Sequence, residues 1–167
     1  MAIKSLILVP LLMVFLIHGF SQTRSMPAVK TDLPPKIDGV LDDESWKAAI
    51  VATDFIQNFP KAGELATVKT EVRILYDNNA IYIGALLYDD PSLIRKQLTA
   101  RDQEQQSDVD YFSVFFDTYH DKQNGFQFLV TTANVQTDSK LSPSFSGDFG
   151  EYGDKTWDAV WESKTKM

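Results

Sequence analysis

The sequence predicts an all-β fold, an antiparallel β-sandwich or jelly roll with one short helix near the N-terminus. Strand-like segments far outnumber helical ones, and turn residues separate them at intervals of about 10 residues. The stretch from Asp110 to Thr132 combines an aromatic and β-branched run, a polar turn and a second run that alternates with a period of two. No internal repeat or low-complexity tract interrupts this pattern.

Residues 1–21 are predicted to be a signal peptide. Lys4 precedes an apolar run from Leu6 to Ile17, and small residues follow at the positions that a signal peptidase reads. An uncleaved membrane anchor is the alternative, but the run is shorter than the roughly 20 residues that cross a bilayer. Cleavage near Ser21 predicts export to the periplasm, the cell envelope or the extracellular space.

The composition argues against several classes of protein. With 16 basic and 23 acidic residues the formal net charge is −7, whereas nucleic-acid binding requires a basic face. Cysteine is absent, so the chain has neither disulfides nor a nucleophilic thiol. His120 is the single histidine after Ser21, which argues against zinc and against a Ser/His/Asp triad.

The mature chain is predicted to begin with a linker and an edge strand over residues 22–35, which end in two prolines. A β-sandwich domain over residues 36–167 follows. Asp42 or Asp43 is predicted to cap a short helix near the start of this domain. That helix carries Trp46, which is predicted to fill the core because Ala48 and Ala49 continue a packing face.

The first strands of the domain are predicted from alternation and from turn residues. Thr53–Phe59 is predicted to be a short strand, and alternating apolar and charged residues over 68–74 predict a strand with one solvated face. A turn at 77–79 leads to Ala80–Tyr88, whose nearly continuous apolar character predicts a central position in a sheet. Residues 92–107 are mostly charged or polar, which predicts a surface loop over one end of the sheet.

The second half of the domain contains the hairpin and the last strand. Tyr111–Phe116 is predicted to be a strand with both faces covered, and Phe126–Val130 is predicted to return beside it. A turn and a short strand are predicted over 134–138, and a loop over 141–154. Thr156–Ser163 is predicted to be the last strand.

Four segments of the chain occur in the order seen in carbohydrate-binding modules of family nine, which the chain resembles. They are IDGVLDDESWKAA at Ile37–Ala49, VRILYDNNAIYIGALLYDD at Val72–Asp90, DYFSVFFDT at Asp110–Thr118 and WDAVWES at Trp157–Ser163. The turn DTYHDKQNGF and the strand NVQTD are similar to the version found at the N-terminus of certain exported bacterial proteins. In those proteins the later part resembles an outer-membrane barrel.

The resemblance implies a β-sandwich that binds polysaccharides or oligosaccharide ends in carbohydrate catabolism, in association with hydrolases of glycosyl bonds and often with structural calcium. Members usually continue into one more strand, so the resemblance also implies either a domain truncated at its C-terminus or a sandwich that lacks its closing strand and exposes an edge. It favours a non-catalytic binding module of a secreted or envelope protein. The alternative is an accessory domain that packs on a downstream outer-membrane barrel of the same polypeptide and binds no sugar.

Sugar binding requires flat apolar faces for the C–H surface of a pyranose and planar hydrogen-bonding groups for its hydroxyls. Trp157 and Trp161 are the candidate stacking residues, since a predicted strand places them on one face, roughly 13 Å apart. If that face is inside, both are core residues instead. Tyr152 is a candidate for a wall of the site, and Arg101 and Gln103 are candidate hydroxyl partners.

Asp108, Asp110, Asp117 and Asp121 are the candidate calcium ligands, because acidic side chains lie near the ends of predicted strands and calcium prefers oxygen. A solvated acidic rim is the alternative. Asp108 and Asp110 are also the candidate pair for a glycoside hydrolase, about 6.6 Å apart along a strand. Similar sandwich domains bind haem, but His120 and the terminal methionines are poorly placed as axial ligands.

Overall fold

The structure is a computed structural model that describes residues 24–104, 107–144 and 153–167. The predicted signal peptide and Tyr152 lie outside the described residues. Within these ranges one short helix and seven strands form two sheets, and the predicted all-β sandwich class is confirmed. No helix in the described ranges is long and apolar enough to cross a membrane.

The first sheet is built around its central strand, β3. Its elements are β1 (Val29–Lys30), α1 (Glu44–Ala48), β2 (Val51–Ala52), β3 (Thr70–Tyr76) and β4 (Ile81–Leu87). β4 pairs with β3 along its whole length, so β1 and β2 share the opposite side of β3. Among the described strands β4 pairs with β3 alone, and Leu87 is 55% exposed. The predicted central position of Ala80–Tyr88 was therefore wrong. This segment forms an edge strand of the described sheet, and some of its apolar side chains are exposed.

Trp46 fills the core beside the first sheet, as predicted. It is 4% exposed and packs with Ala49 and Leu75. Gly84 on β4 is required for this close approach, since a Cβ there would lie 2.7 Å from the Leu41 side chain and 3.1 Å from Trp46. The helix that follows Asp43 therefore packs against the first sheet through Trp46.

The predicted strand Thr53–Phe59 was wrong. Asp54 has a positive φ of 56°, which interrupts an extended backbone directly after β2. A single bridge between Ile56 and Leu65 is all the pairing that remains in this region of the described chain.

Asp77 holds the hairpin between β3 and β4. Its carboxylate accepts hydrogen bonds from the backbone N–H groups of Asn79 at 2.7 Å and Ala80 at 2.8 Å, and from the Tyr82 hydroxyl at 2.9 Å. The backbone donors at Asn79 and Ala80 are the main reason why the pKa of the Asp77 carboxyl is lowered. The turn predicted at 77–79 is therefore confirmed.

We expect Asp77→Ala to destabilise the protein at pH 7 but much less in acid. A carboxyl whose pKa is lowered by folding contributes stability above its unfolded pKa, and this contribution is lost as the pH falls through the folded pKa. The difference in denaturation midpoint between Asp77→Ala and the parent protein should therefore shrink below about pH 4. Chemical denaturation at pH 7, 5 and 3 measures it, with Asn79→Ala as the control. A difference that does not change with pH would contradict this role.

The second sheet contains β5 (Tyr111–Phe116), β6 (Gly125–Thr131) and β7 (Gln136–Leu141), which pair antiparallel in chain order. The predicted hairpin is confirmed, and the short strand predicted within 134–138 corresponds to β7, which extends to Leu141. A Cβ at Gly125 would overlap the carbonyl oxygen of Phe116, so glycine is required where the chain enters β6.

The register of the second sheet defines an aromatic face. Its residues are Phe112, Val114 and Phe116 on β5, Phe126, Phe128 and Val130 on β6, and Gln136, Asp138 and Lys140 on β7. The opposite face buries Leu129 and a polar group that includes Gln127 and Thr131. Tyr111 and Phe115 project on that opposite face and are each 49% exposed, so the predicted burial of both faces of β5 was wrong. β5 is an edge strand of the described sheet, which explains this exposure.

The segment 157–167 crosses the aromatic face without forming a strand. Its burial alternates with a period of two, as predicted, and Val160 points fully into solvent. The predicted last strand Thr156–Ser163 was nevertheless wrong. The segment is bound to β7 through β7 side chains and not through a ladder of hydrogen bonds between two backbones. Asp138 accepts the backbone N–H of Ala159 at 2.6 Å, and the Gln136 amide donates to the carbonyl oxygen of Trp161 at 3.1 Å.

Candidate functional site

A groove of about 420 Å³ opens where β7 begins, within the size range of small-ligand sites. It is lined by Ile37, Arg101, Asn134, Gln136, Trp161, Glu162 and Ser163. These residues come from four separate parts of the chain. Two of the predicted sugar-binding residues, Arg101 and Trp161, meet in it, and we call it the Arg101–Trp161 groove.

Asp138 holds two residues of the groove lining in place. Its side chain is 1% exposed, and its Oδ1 accepts hydrogen bonds from the Arg101 guanidinium and from the Trp161 indole Nε1, the latter at 3.3 Å. Its Oδ2 accepts the backbone N–H of Ala159. A buried carboxylate is tolerated only when such donors surround it. Asp138 therefore fixes the loop that carries Arg101 and the segment that carries Trp161 in one arrangement.

Arg101 is bound by side chains of β7 and of the C-terminal segment, and part of it faces the groove. Its Nη1 donates to the Gln136 side chain at 3.1 Å, and its Nη2 pairs with buried Asp138 and with Asp158, the latter at 3.1 Å. The Arg101 side chain remains 40% exposed. A guanidinium fixed in this way presents planar donors without a large loss of side-chain freedom.

Asp102 adds a third carboxylate beside the Arg101 guanidinium. Its Oδ2 lies 3.7 Å from the Nε of Arg101. Burial raises the pKa of the Asp102 carboxyl, and Arg101 opposes this effect. The backbone of Asp102 has a φ of 60°, which turns the chain immediately after Arg101.

Amide and hydroxyl groups form the remaining polar wall of the groove. The Gln136 Nε2 donates to the Trp161 carbonyl and to the Ser163 Oγ at 3.0 Å, and the Ser163 Oγ donates to the Asn134 Oδ1 at 3.3 Å. This chain of bonds orients the amide planes of Asn134 and Gln136. Amides in fixed planes are suited to paired hydrogen bonds with vicinal hydroxyls.

The two tryptophans have different surroundings. Trp157 packs on Phe126 and Phe128, with ring centroids at 4.5 Å and 6.1 Å. Trp161 packs edge-on to Phe128 at 5.3 Å and also lines the groove. Both indoles lie on the same side of the segment, as predicted. They are half-buried and do not form an exposed aromatic pair.

Glu104 anchors the Arg101 loop to the same sheet. It is 4% exposed, accepts the Thr137 hydroxyl at 2.6 Å and pairs with the Lys155 Nζ at 2.7 Å. Because Lys155 precedes Trp157 in the chain, this ion pair links the loop, β7 and the C-terminal segment. Gln103, a predicted hydroxyl partner, is exposed and is not part of the groove lining.

The sequence interpretation did not select Asp138, Gln136, Asn134 or Glu104. One signal in the sequence could have pointed to Asp138. If QTDSKL is a strand beside β6, its acidic residue lies opposite Phe128. A carboxylate beside aromatic side chains predicts that strong donors come from elsewhere in the chain. It does not predict which donors they are.

The predicted calcium ligands divide into two pairs at opposite ends of β5. Arg95 binds Asp108 through its guanidinium and Asp110 through its backbone N–H, each at 2.9 Å. Asp117 accepts the backbone N–H of Asp121 at 3.1 Å. In the described ranges no three His, Cys, Asp or Glu side chains are grouped as a metal site requires. Calcium therefore stays a prediction, and these four aspartates do not converge on one ion.

The candidate residues for a glycoside hydrolase and for haem binding also lie outside the groove lining. Asp108 and Asp110 precede β5 and face Arg95, and His120 sits in the turn after β5 with a φ of 54°. Met167 is 71% exposed. None of these residues lines the Arg101–Trp161 groove.

Comparison with protein families supplies an independent result. The model of a family described as carbohydrate family 9 binding domain-like matches residues 37–166. No curated protein and no solved structure gives a significant match. The matched range contains all seven residues that line the groove, and the resemblance carried by the four sequence segments is confirmed.

Proposed function

The chain belongs to the carbohydrate family 9 binding domain-like family, and from this premise we propose that it is a non-catalytic carbohydrate-binding module. We place its sugar site in the Arg101–Trp161 groove. The observation that carries this assignment is the meeting of an indole, a fixed guanidinium and oriented amides in one cavity of ligand size.

Each part of the groove matches one requirement of a saccharide. The Trp161 ring and Ile37 supply apolar surface for the C–H groups of a pyranose. Arg101 and the Asn134 amide nitrogen supply donors for hydroxyls, and the Gln136 Oε1 supplies an acceptor. Both Nε2 hydrogens of Gln136 are already used within the protein, by Trp161 and Ser163. Because hydrogen bonds within the protein hold these groups in place, little side-chain ordering is needed on binding.

The wider context is also a proposal. The predicted signal peptide and the family resemblance support an exported protein that takes part in carbohydrate catabolism. The same resemblance supports attachment to a downstream barrel-like region. Exposed apolar residues on the first sheet, among them Ile81 and Leu87, favour packing against such a region as the second candidate function.

Isothermal titration of the purified protein with xylo- and cello-oligosaccharides tests the assignment. We expect saturable binding, and the same titration in a chelator tests the calcium prediction separately. Loss of binding in the chelator would support a structural cation, whereas unchanged binding would remove calcium from the site. A folded protein that gives no heat with any of these glycans would contradict the sugar site. Packing against a downstream region would then be the favoured function.

A further inference from the structure

We propose that the protein has a second saccharide subsite, centred on Tyr119, at the other end of the aromatic face. This inference rests on the proposed function and extends it from one sugar residue to an elongated glycan. A second cavity of about 340 Å³ lies there. It is lined by Tyr119, Asp121, Asn124, Gly125, Phe126, Lys140 and Leu141.

The sheet register aligns the two cavities. Gln136 lines the Arg101–Trp161 groove and Lys140 lines the second cavity. Both side chains lie on the aromatic face of β7, where four residues along a strand cover about 13 Å. The two cavities therefore lie in line along the direction of β7.

The C-terminal segment lies between the cavities. Trp157 packs on Phe126, which lines the second cavity, and Trp161 lines the Arg101–Trp161 groove. Between them Asp158 and Val160 point outward and are exposed. A linear glycan that occupies both cavities would pass over these two outward side chains without displacing the indoles.

The turn that carries Tyr119 is fixed by its own hydrogen bonds. Asp117 accepts the backbone N–H groups of Asp121 and Lys122, at 3.1 Å and 2.9 Å. Asp121 accepts the Asn124 side chain at 2.7 Å and its backbone N–H at 2.8 Å. The Tyr119 side chain, 70% exposed, therefore projects from a turn that is already ordered, which lowers the cost of binding.

The lining chemistry suits an uncharged pyranose. The Tyr119 ring offers a flat face beside the cavity, and Phe126 adds apolar surface. The Lys140 ammonium group is a donor for hydroxyl oxygens, and the amide of Asn124 contributes at the rim. This combination repeats, with different residues, the pairing of aromatic and polar groups in the first groove.

The test compares short and long glycans on matched variants. Titrations with disaccharides and hexasaccharides of the xylo and cello series are performed on the parent protein, Tyr119→Ala and Tyr88→Ala. Tyr88 is the control because it is also exposed, at 46%, but follows β4 of the other sheet. We expect the parent to bind the hexasaccharide about tenfold more tightly than the disaccharide, as one additional stacked ring contributes.

Tyr119→Ala should remove this length advantage and leave disaccharide binding unchanged, whereas Tyr88→Ala should change neither. Unchanged hexasaccharide affinity in Tyr119→Ala would overturn the second subsite while leaving the first groove intact. Equal weakening of both lengths would also overturn it, since Tyr119 would then act through the fold. A parent protein that binds neither length would overturn the proposed function itself.

Discussion

Trp161→Ala should weaken glycan binding about 100-fold or more. The substitution removes the apolar floor of the Arg101–Trp161 groove and the indole donor to Asp138. Aromatic residues at the centre of a binding site typically contribute 2 kcal/mol or more, and about 2.7 kcal/mol corresponds to a factor of 100. Isothermal titration with the glycan that binds the parent protein measures the loss.

Trp157→Ala is the matched control for this experiment. Trp157 packs on Phe126 and Phe128 but is not part of the groove lining. We expect this variant to lose about 3 kcal/mol of stability while its folded fraction retains most of its affinity. If Trp161→Ala binds glycan like the parent protein, Trp161 is a core residue and not a stacking residue.

Asp138→Ala should lower the free energy of unfolding by about 2 to 3 kcal/mol and abolish glycan binding. The change leaves the Trp161 indole N–H and the backbone N–H of Ala159 without their acceptor. Arg101 adds less to the loss, because it is 40% exposed and keeps its pair with Asp158. Urea denaturation measures the stability change, and glycan titration at low temperature measures binding by the folded fraction.

Asp158→Ala provides the comparison with the same arginine. Asp158 pairs with Arg101 at 3.1 Å, but its side chain is 79% exposed. Exposed ion pairs contribute at most about 1 kcal/mol, so this variant should remain close to the parent protein in stability. Equal, small effects of Asp138→Ala and Asp158→Ala would show that Asp138 does not organise the groove.

Local sequence signals were sufficient for much of the fold. The helix that carries Trp46, the turn at Asp77 and the hairpin of β5 and β6 were all predicted from residues close to one another. One error arose where the position of a strand depends on which other segments pair with the sheet. β4 was placed centrally on its apolar content, but β1 and β2 both pair with β3, so that β4 lies at the edge of the described sheet.

The candidate site was predicted only in part. Arg101 and Trp161 were selected for their chemistry, and the structure brings them to one groove. Gln103 was selected for the same reason but is exposed and does not line the groove, since the side chains of a loop follow no simple period. Buried Asp138, on which the geometry depends, resembles an ordinary polar strand residue in the sequence.

The sequence alone determined the strand periodicity, the burial of Trp46, the alternation of the segment 157–167 and the family. These properties depend on side-chain spacing within a few residues, which the backbone geometry of each element converts directly into faces. Only the tertiary structure decided that Arg101 and Asp138, 37 positions apart, form an ion pair, and that Trp161, 23 positions beyond Asp138, donates to the same carboxylate. The physical reason is that a buried charge is stabilised by whichever donors the fold brings to it, and no local pattern specifies those donors.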